Sequence, residues 1–296
     1  ATAAMPASTR IEAGIAAVAA DYDGFIVDLW GVLHNGTAPY PGALEALADI
    51  RTEGRKVCLL SNAPRRVANT RERLRALGLT DDCYDGLMTS GELAHACLAN
   101  PDETKHRTLG PKALFFGGAA DRHLLDGVAG RSYTDDLNTA TWILNTGIAD
   151  PAETVADYRD TLRCCAERSL PMVCVNPDLV VITSRGPQVC AGAIAEAYEG
   201  MGAPVIWHGK PHRPVYDHCR ALMGWTAATK LLAIGDSFRT DVAGALSAGC
   251  DVAFIAGGIH RTELGTVWGA PVDQDRLTAL TVSYGYAPTI ALPAFR

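Results

Sequence analysis

No run of five or more lysines and arginines occurs in the 296 residues, and the formal net charge is −7. A mildly acidic chain without a basic patch offers no footing to nucleic acid or to an anionic membrane surface. No apolar stretch reaches the roughly 18–20 residues that a membrane-spanning helix needs. The nine cysteines (Cys58, Cys83, Cys97, Cys164, Cys165, Cys174, Cys190, Cys219 and Cys250) contain no C-x-x-C pair. An odd count scattered through apolar segments argues against a disulfide framework and against a zinc site. Buried free thiols in a reducing compartment are the expectation, so the chain reads as cytoplasmic. Internal repeats and low-complexity segments are also missing.

What is present is a globular composition, 48% hydrophobic and 20% charged, on a chain long enough for one large α/β domain or two modest ones. "IEAGIAAVAADYD" near the start is the only candidate targeting segment. Glu12 interrupts it and Arg10 is its only basic flank, so it reads as a short helix packed on the domain. Beyond it, strand and helix alternate. "FIVDLW", "KVCLLS" and "GLMTS" read as strands, separated by helices at 41–54 and 64–78. Polar "PDETKHRTLGPK" marks a boundary. After it come "ALFFGG", a helical "ADRHLLDGV", "TWILNTG", a helix at 151–168, "PMVCVN", "LVVITS" and a helix at 190–200. A second boundary falls near "GMGAPVIWHGKPH". "LLAIGDS", the helix "DVAGALSAG" and the strand "DVAFIAGG" follow. Such alternation predicts doubly wound parallel sheets with right-handed crossovers, whose ligands sit beyond the carboxyl ends of the strands.

Four strand ends carry reactive side chains. Asp28 ends the first strand and Ser61-Asn62 the second. Lys210 precedes a helix, and Asp236 ends "LLAIGDS" with Asp241 five residues on. Singly, each has a bland role as a turn residue, helix cap or solvated surface charge. Together they suit phosphoryl transfer. Carboxylates and a carbonyl hold Mg²⁺, lysine neutralises phosphate, and a hydroxyl and backbone N–H groups cradle its oxygens. A carboxylate can also form a covalent acyl-phosphate.

The order of these residues resembles the haloacid dehalogenase superfamily, in its class IIA branch of nucleotide, pyridoxal-phosphate, phosphoglycolate and 4-nitrophenyl phosphatases. "FIVDLWGVL" corresponds to the family's D-x-D-G motif, and "PGALEALADIRTEGRKVCLLSNAPRR" to its second segment. "NPDLVV" and "AGAIAEAYEGMG" resemble the cap. "GKPHRPVYDHC" and "AIGDSFRTDVAGALSAG" match the lysine and metal motifs. The resemblance implies a Rossmann-like core over 1–101 and 206–296, with an α/β cap over 102–205 that selects the leaving group. It implies Asp28 as nucleophile and magnesium ligand, with the backbone carbonyl of Trp30 as a second ligand. Ser61 and the Asn62 N–H would hold the phosphoryl group, Lys210 would bridge nucleophile and phosphate, Asp236 would bind the metal and Asp241 would support it. The substrate would be a small phosphorylated metabolite. Relatives of this kind often pair through their caps, which leaves a homodimer open.

Trp30 departs from the pattern, standing where the family has its second Asp, the general acid. An indole N–H has no useful acidity, and general acid–base help is worth about 10²–10⁴-fold. Three accounts follow. The chain is a phosphatase whose proton comes from water or from another side chain such as His34, which otherwise reads as a surface histidine on a small hairpin. Or it is a dehalogenase-like hydrolase, against which Asp236 and Asp241 argue. Or it binds a phosphometabolite with little turnover. In the cap, Asn176, Asp178 and Arg185 are polar residues whose expected roles are helix caps or surface. "SYGYAPTIALPAFR" near the end would pack on the core or on a partner.

Overall fold

The computed structural model describes residues 8–101 and 105–296. The chain divides into two compact units. One comprises Ala1–Ser61, Arg71–Met88 and Pro211–Arg296, and the other Asn62–Thr70 and Thr89–Lys210.

The chain begins with strand β1 (Arg10–Ile11), followed by two 3₁₀ turns, Ile15–Ala17 and Ala19–Asp21. The single helix expected here does not form. The Arg296 carbonyl takes the Ile15 N–H at 3.0 Å, and Val18 departs from helical backbone (φ −128°) between the turns. Next come β2 (Gly24–Val27), helix α1 (Ala43–Thr52), β3 (Lys56–Ser61), helix α2 (Val67–Ala76) and β4 (Gly86–Thr89). The second unit supplies α3 (Ser90–Ala99), β5 (Lys112–Phe116), β6 (Ser132–Thr134), β7 (Trp142–Asn145) and α4 (Val155–Glu167). It continues with β8 (Met172–Cys174), β9 (Val180–Thr183), β10 (Gly186–Val189), α5 (Ala191–Glu199) and β11 (Val205–Trp207). The last part holds α6 (Arg213–Met223), β12 (Leu231–Gly235), a π-helical turn (Phe238–Val242) and α7 (Ala243–Ser247). It closes with β13 (Asp251–Ile255), α8 (Gln274–Tyr284) and β14 (Ile290–Leu292).

The first unit's sheet has the order β1-β14-β13-β12-β2-β3-β4. Its interior strand β2, "GFIV", is buried at every residue, as a strand covered on both faces must be. Helix α1 shows how the covering works. Ala43, Ala46, Leu47 and Ile50 are its buried residues, the i, i+3, i+4, i+7 stripe of one helical face. The C-terminal segment packs on this core: β14 lies between β13 and β1, and Phe295 is fully buried.

The second unit's five-stranded sheet, β11-β8-β7-β5-β6, is parallel throughout. Side chains alternate between its two faces. Leu114, Ile143 and Met172 pack with Leu162 of α4 and Ile194 of α5. Ala113, Trp142 and Val173 pack with Ala94 and Leu98 of α3. This packing explains why the division differs from the expected limits of 102 and 205. Helix α3 shares a core with the second sheet, and β11 pairs with β8 to complete that sheet. The earlier limit falls at residues 102–104, which lie outside the described residues. Alternation also fails once. "LVVITS" turns back at Ser184-Arg185 and pairs antiparallel with β10 as a separate two-stranded ribbon. Among the described residues no helix is long and apolar enough to cross a membrane.

Candidate active site

Strands β12, β2 and β3 lie side by side and end within two residues of one another: Val27 is opposite Ile234 on one side and Leu59 on the other. From β2 the chain runs outward to β3 and β4 on one side, and later outward from β12 to β13 and β14 on the other. The order therefore reverses between β2 and β12, the point where parallel sheets open a crevice beyond their carboxyl ends. Asp28 and Asp236 are the first residues past these two strands. Ser61 is the last residue of β3.

Asp28, Asp236 and Asp241 each place a carboxylate oxygen within 4.8 Å of the others. The backbone fixes them. The Asp28 N–H extends the ladder to the Ile234 carbonyl at 2.9 Å. Asp241 Oδ2 accepts the N–H groups of Asp236 and Ser237, both at 3.1 Å. Asp236 Oδ2 accepts the Ile259 N–H at 2.8 Å. Asp241 stands in the π-helical turn, a widened turn of the kind found at functional sites. His260, which no sequence pattern singled out, anchors that turn. Its Nε2 accepts the Phe238 N–H at 3.1 Å, so its Nδ1 carries the proton and donates to Glu263 at 2.7 Å.

Three carboxylates this close, two of them almost fully buried, repel one another unless a cation joins them. The donor set is entirely hard oxygen, which fits magnesium and suits zinc less well. Gly31 packs against this cluster. Its φ is +80°, and a Cβ there would lie 2.1 Å from Asp236 Oδ2, so both backbone and space demand glycine.

The Trp30 ring turns to the hairpin that follows. It meets the His34 ring edge-on at 5.6 Å and packs on Gly36, where a Cβ would lie 2.4 Å from the indole. His34 is buried, not on the surface as read from the sequence. Its Nδ1 accepts the Gly36 N–H at 3.0 Å. Burial, with the Arg73 charge second, lowers its pKa to about 4. At neutral pH it is an uncharged imidazole that stores no acidic proton.

Asn62 and Lys210 belong to the second unit, and both are buried. The Asn62 side chain accepts the Lys210 N–H at 2.8 Å and donates to the Lys210 carbonyl at 3.0 Å and to Asp178 at 2.9 Å. Gly209 between them has φ +96°, and a Cβ there would lie 2.6 Å from Asn62 Oδ1. Asn176 Oδ1 takes the Asp178 N–H at 3.0 Å, a local turn bond. Arg185 is exposed at the tip of the ribbon.

A haloacid dehalogenase-like hydrolase family profile matches residues 25–129, and a second one, HAD-hydrolase-like, matches 207–275. A hydrolase of the haloacid dehalogenase-like family from Brucella suis 1330 superposes with a TM-score of 0.80 at 29% identity, covering 96% of this chain and all of that one. The D-glycerol 3-phosphate phosphatase of Mycobacterium tuberculosis is 27% identical over 254 residues, 82% of this chain and 65% of that protein. The 5'-nucleotidase YutF of Bacillus subtilis is 20% identical over 256 residues, 82% of this chain and 90% of that protein. The two profiles together span more than half of the residues and meet the crevice from both sides in sequence, so the chain belongs to the haloacid dehalogenase-like hydrolases.

Proposed function

We propose that the protein is a magnesium-dependent phosphomonoester hydrolase acting on a small phosphorylated metabolite. The observation that carries this reading is the convergence of Asp28, Asp236 and Asp241 at the point where the strand order reverses. The activities of the two named relatives support it: one acts on glycerol 3-phosphate and the other is a nucleotidase.

In this proposal Asp28, Asp236 and the Trp30 backbone carbonyl would hold magnesium, with Asp241 fixing the loop that carries Asp236. Bound there, the ion would neutralise charge on the phosphoryl oxygens. An Asp28 carboxylate oxygen attacks phosphorus, and the bond to the leaving oxygen breaks, giving an aspartyl phosphate. Water then attacks that phosphorus and returns Asp28 with release of inorganic phosphate. Ser61 and the Asn62 N–H are assigned to the phosphoryl oxygens, and Lys210 to their charge. With Trp30 in place of an acid and His34 uncharged, the leaving oxygen takes its proton from water.

The test is phosphate release from 4-nitrophenyl phosphate, glycerol phosphates and nucleoside monophosphates, with and without Mg²⁺. Metal-dependent release that Asp28→Asn abolishes supports the proposal. Halide release from a 2-haloacid without metal overturns it in favour of a dehalogenase. A second reading rests on Trp30: the chain binds a phosphometabolite and turns it over poorly. Vanadate binding without turnover on any of these substrates would select that reading.

A further inference from the structure

We propose that Cys97, His106 and His208 form a second metal site, for zinc or a similar borderline-soft divalent ion, within the second unit. The three residues offer Sγ and imidazole nitrogens that lie within 4.8 Å of one another. They come from three separate places: helix α3, the 3₁₀ turn Lys105–Thr108 and the residue after β11. Both histidines are nearly fully buried, while Cys97 is partly exposed and gives the ion a way in.

The geometry is that of ligands already facing one point. The two Nε2 atoms stand 2.8 Å apart, and the rings stack at 4.9 Å with 26° between their planes. One proton lies between two nitrogens that would each present a lone pair to a metal. Tetrahedral zinc with Zn–N near 2.0–2.1 Å places its nitrogens about 3.3 Å apart, so the rings need part by only about half an ångström.

The backbones that carry them are tied down. Arg131 donates to the His106 carbonyl at 2.9 Å and to the Leu109 carbonyl at 3.1 Å. The His208 N–H reaches the Cys174 carbonyl at 3.0 Å. Arg131 opposes a dication, and the Cys97 thiolate offsets it.

On binding, Cys97 Sγ releases its proton to solvent, and the ring that holds the shared Nε2 proton gives it up and takes one at Nδ1, so that both rings coordinate as neutral imidazoles. Sulfur and imidazole donors select zinc over magnesium, so this site and the carboxylate cluster do not compete for one ion. Three protein ligands leave a fourth position for water. The lack of a C-x-x-C pair argued against zinc in the sequence. That argument concerns a C-x-x-C spacing and is blind to a cysteine and a histidine nine residues apart joined by a third ligand some hundred residues on.

The test uses the full chain carrying Asp28→Asn and Asp236→Asn, so that the carboxylate cluster cannot contribute. The protein is stripped with a chelator and titrated with Co²⁺. One equivalent is expected, with a thiolate-to-cobalt charge-transfer band that one equivalent of Zn²⁺ removes. Cys97→Ala should abolish the band and weaken zinc binding at least tenfold, with the unfolding midpoint of the metal-free protein unchanged. His106→Gln and His208→Gln should each weaken zinc binding as well. A zinc-edge absorption spectrum should show one sulfur and two imidazoles. Absence of the charge-transfer band, or equal zinc affinity in Cys97→Ala, overturns the site whether or not the protein is a phosphatase.

Discussion

Asn62 and Lys210, 148 residues apart, exchange two hydrogen bonds, with the Asn62 amide accepting from and donating to the Lys210 backbone. One side chain thus bonds both backbone polar groups of a buried residue. Asn62→Leu keeps the volume and removes both bonds, each worth about 0.5–1.5 kcal/mol net. The variant should lose stability in urea unfolding, and phosphate release should fall with it, because Lys210 loses its anchor. Asn62→Asp keeps the acceptor but sets a carboxylate against the Lys210 carbonyl and Asp178, so it should be no better than Leu. Unchanged unfolding midpoints in both variants would remove the anchoring role.

Gly31 separates a backbone effect from a metal effect. Gly31→Ala imposes a left-handed residue, at a cost of about 1–2 kcal/mol, and drives a Cβ into the Asp236 carboxylate. Gly54 provides the control, since its φ is +81° with nothing within 4 Å of a Cβ. Gly54→Ala should lose a similar backbone contribution and leave the Mg²⁺ requirement alone. Gly31→Ala should raise the Mg²⁺ concentration for half-maximal phosphate release by an order of magnitude or more. Equal Mg²⁺ titrations for the two variants would show that Gly31 serves the turn and not the metal.

His34→Gln asks whether the buried imidazole supplies the missing proton. Its Nδ1 is occupied by the Gly36 N–H and it is uncharged at neutral pH. The rate at pH 7 should therefore change by less than about threefold, far below the 10²–10⁴ of a true general acid. Stability should fall, because the Gly36 N–H and the Trp30 ring lose a shaped neighbour. A hundredfold loss of kcat in folded protein would instead make His34 the acid.

The parts legible in sequence were those written in local pattern. Apolar strands ending abruptly in Asp28, Ser61 and Asp236 signal a sheet edge, because burial on both faces leaves no other reason for such runs. The alternation of these strands with helices then orders the sheet. Relations without a spacing rule stayed hidden. Nothing near Asn62 shows that its amide reaches Lys210. Nothing near Phe238 points to His260. The "LVVITS" ribbon looks locally like any buried strand, and only its partner at 186–189 makes it a hairpin. Helix α3 follows the first sheet in sequence, yet its Ala94 and Leu98 share a core with Trp142. No periodicity reports which of two sheets a helix will cover.

Trp30→Asp restores a carboxylate where the family keeps its acid, and the leaving group decides how much that helps. 4-Nitrophenolate departs without a proton, whereas an alkoxide such as that of glycerol needs one. With Trp30 in place, the protein should hydrolyse 4-nitrophenyl phosphate far faster than glycerol phosphate. Trp30→Asp should raise the glycerol phosphate rate by about 10²-fold or more, in line with general acid–base help, and the 4-nitrophenyl rate much less. The ratio of the two rates therefore reads the proton directly. The substitution also empties the half-buried space between Gly36 and His34, at a cost of about 1–3 kcal/mol, so rates are compared at a temperature where both forms are folded. Trp30→Phe fills most of that space without an acid and should leave the ratio where it was. If the aspartate variant folds, keeps its Mg²⁺ dependence and still leaves the ratio unchanged, proton transfer does not limit this enzyme and the tryptophan has another purpose.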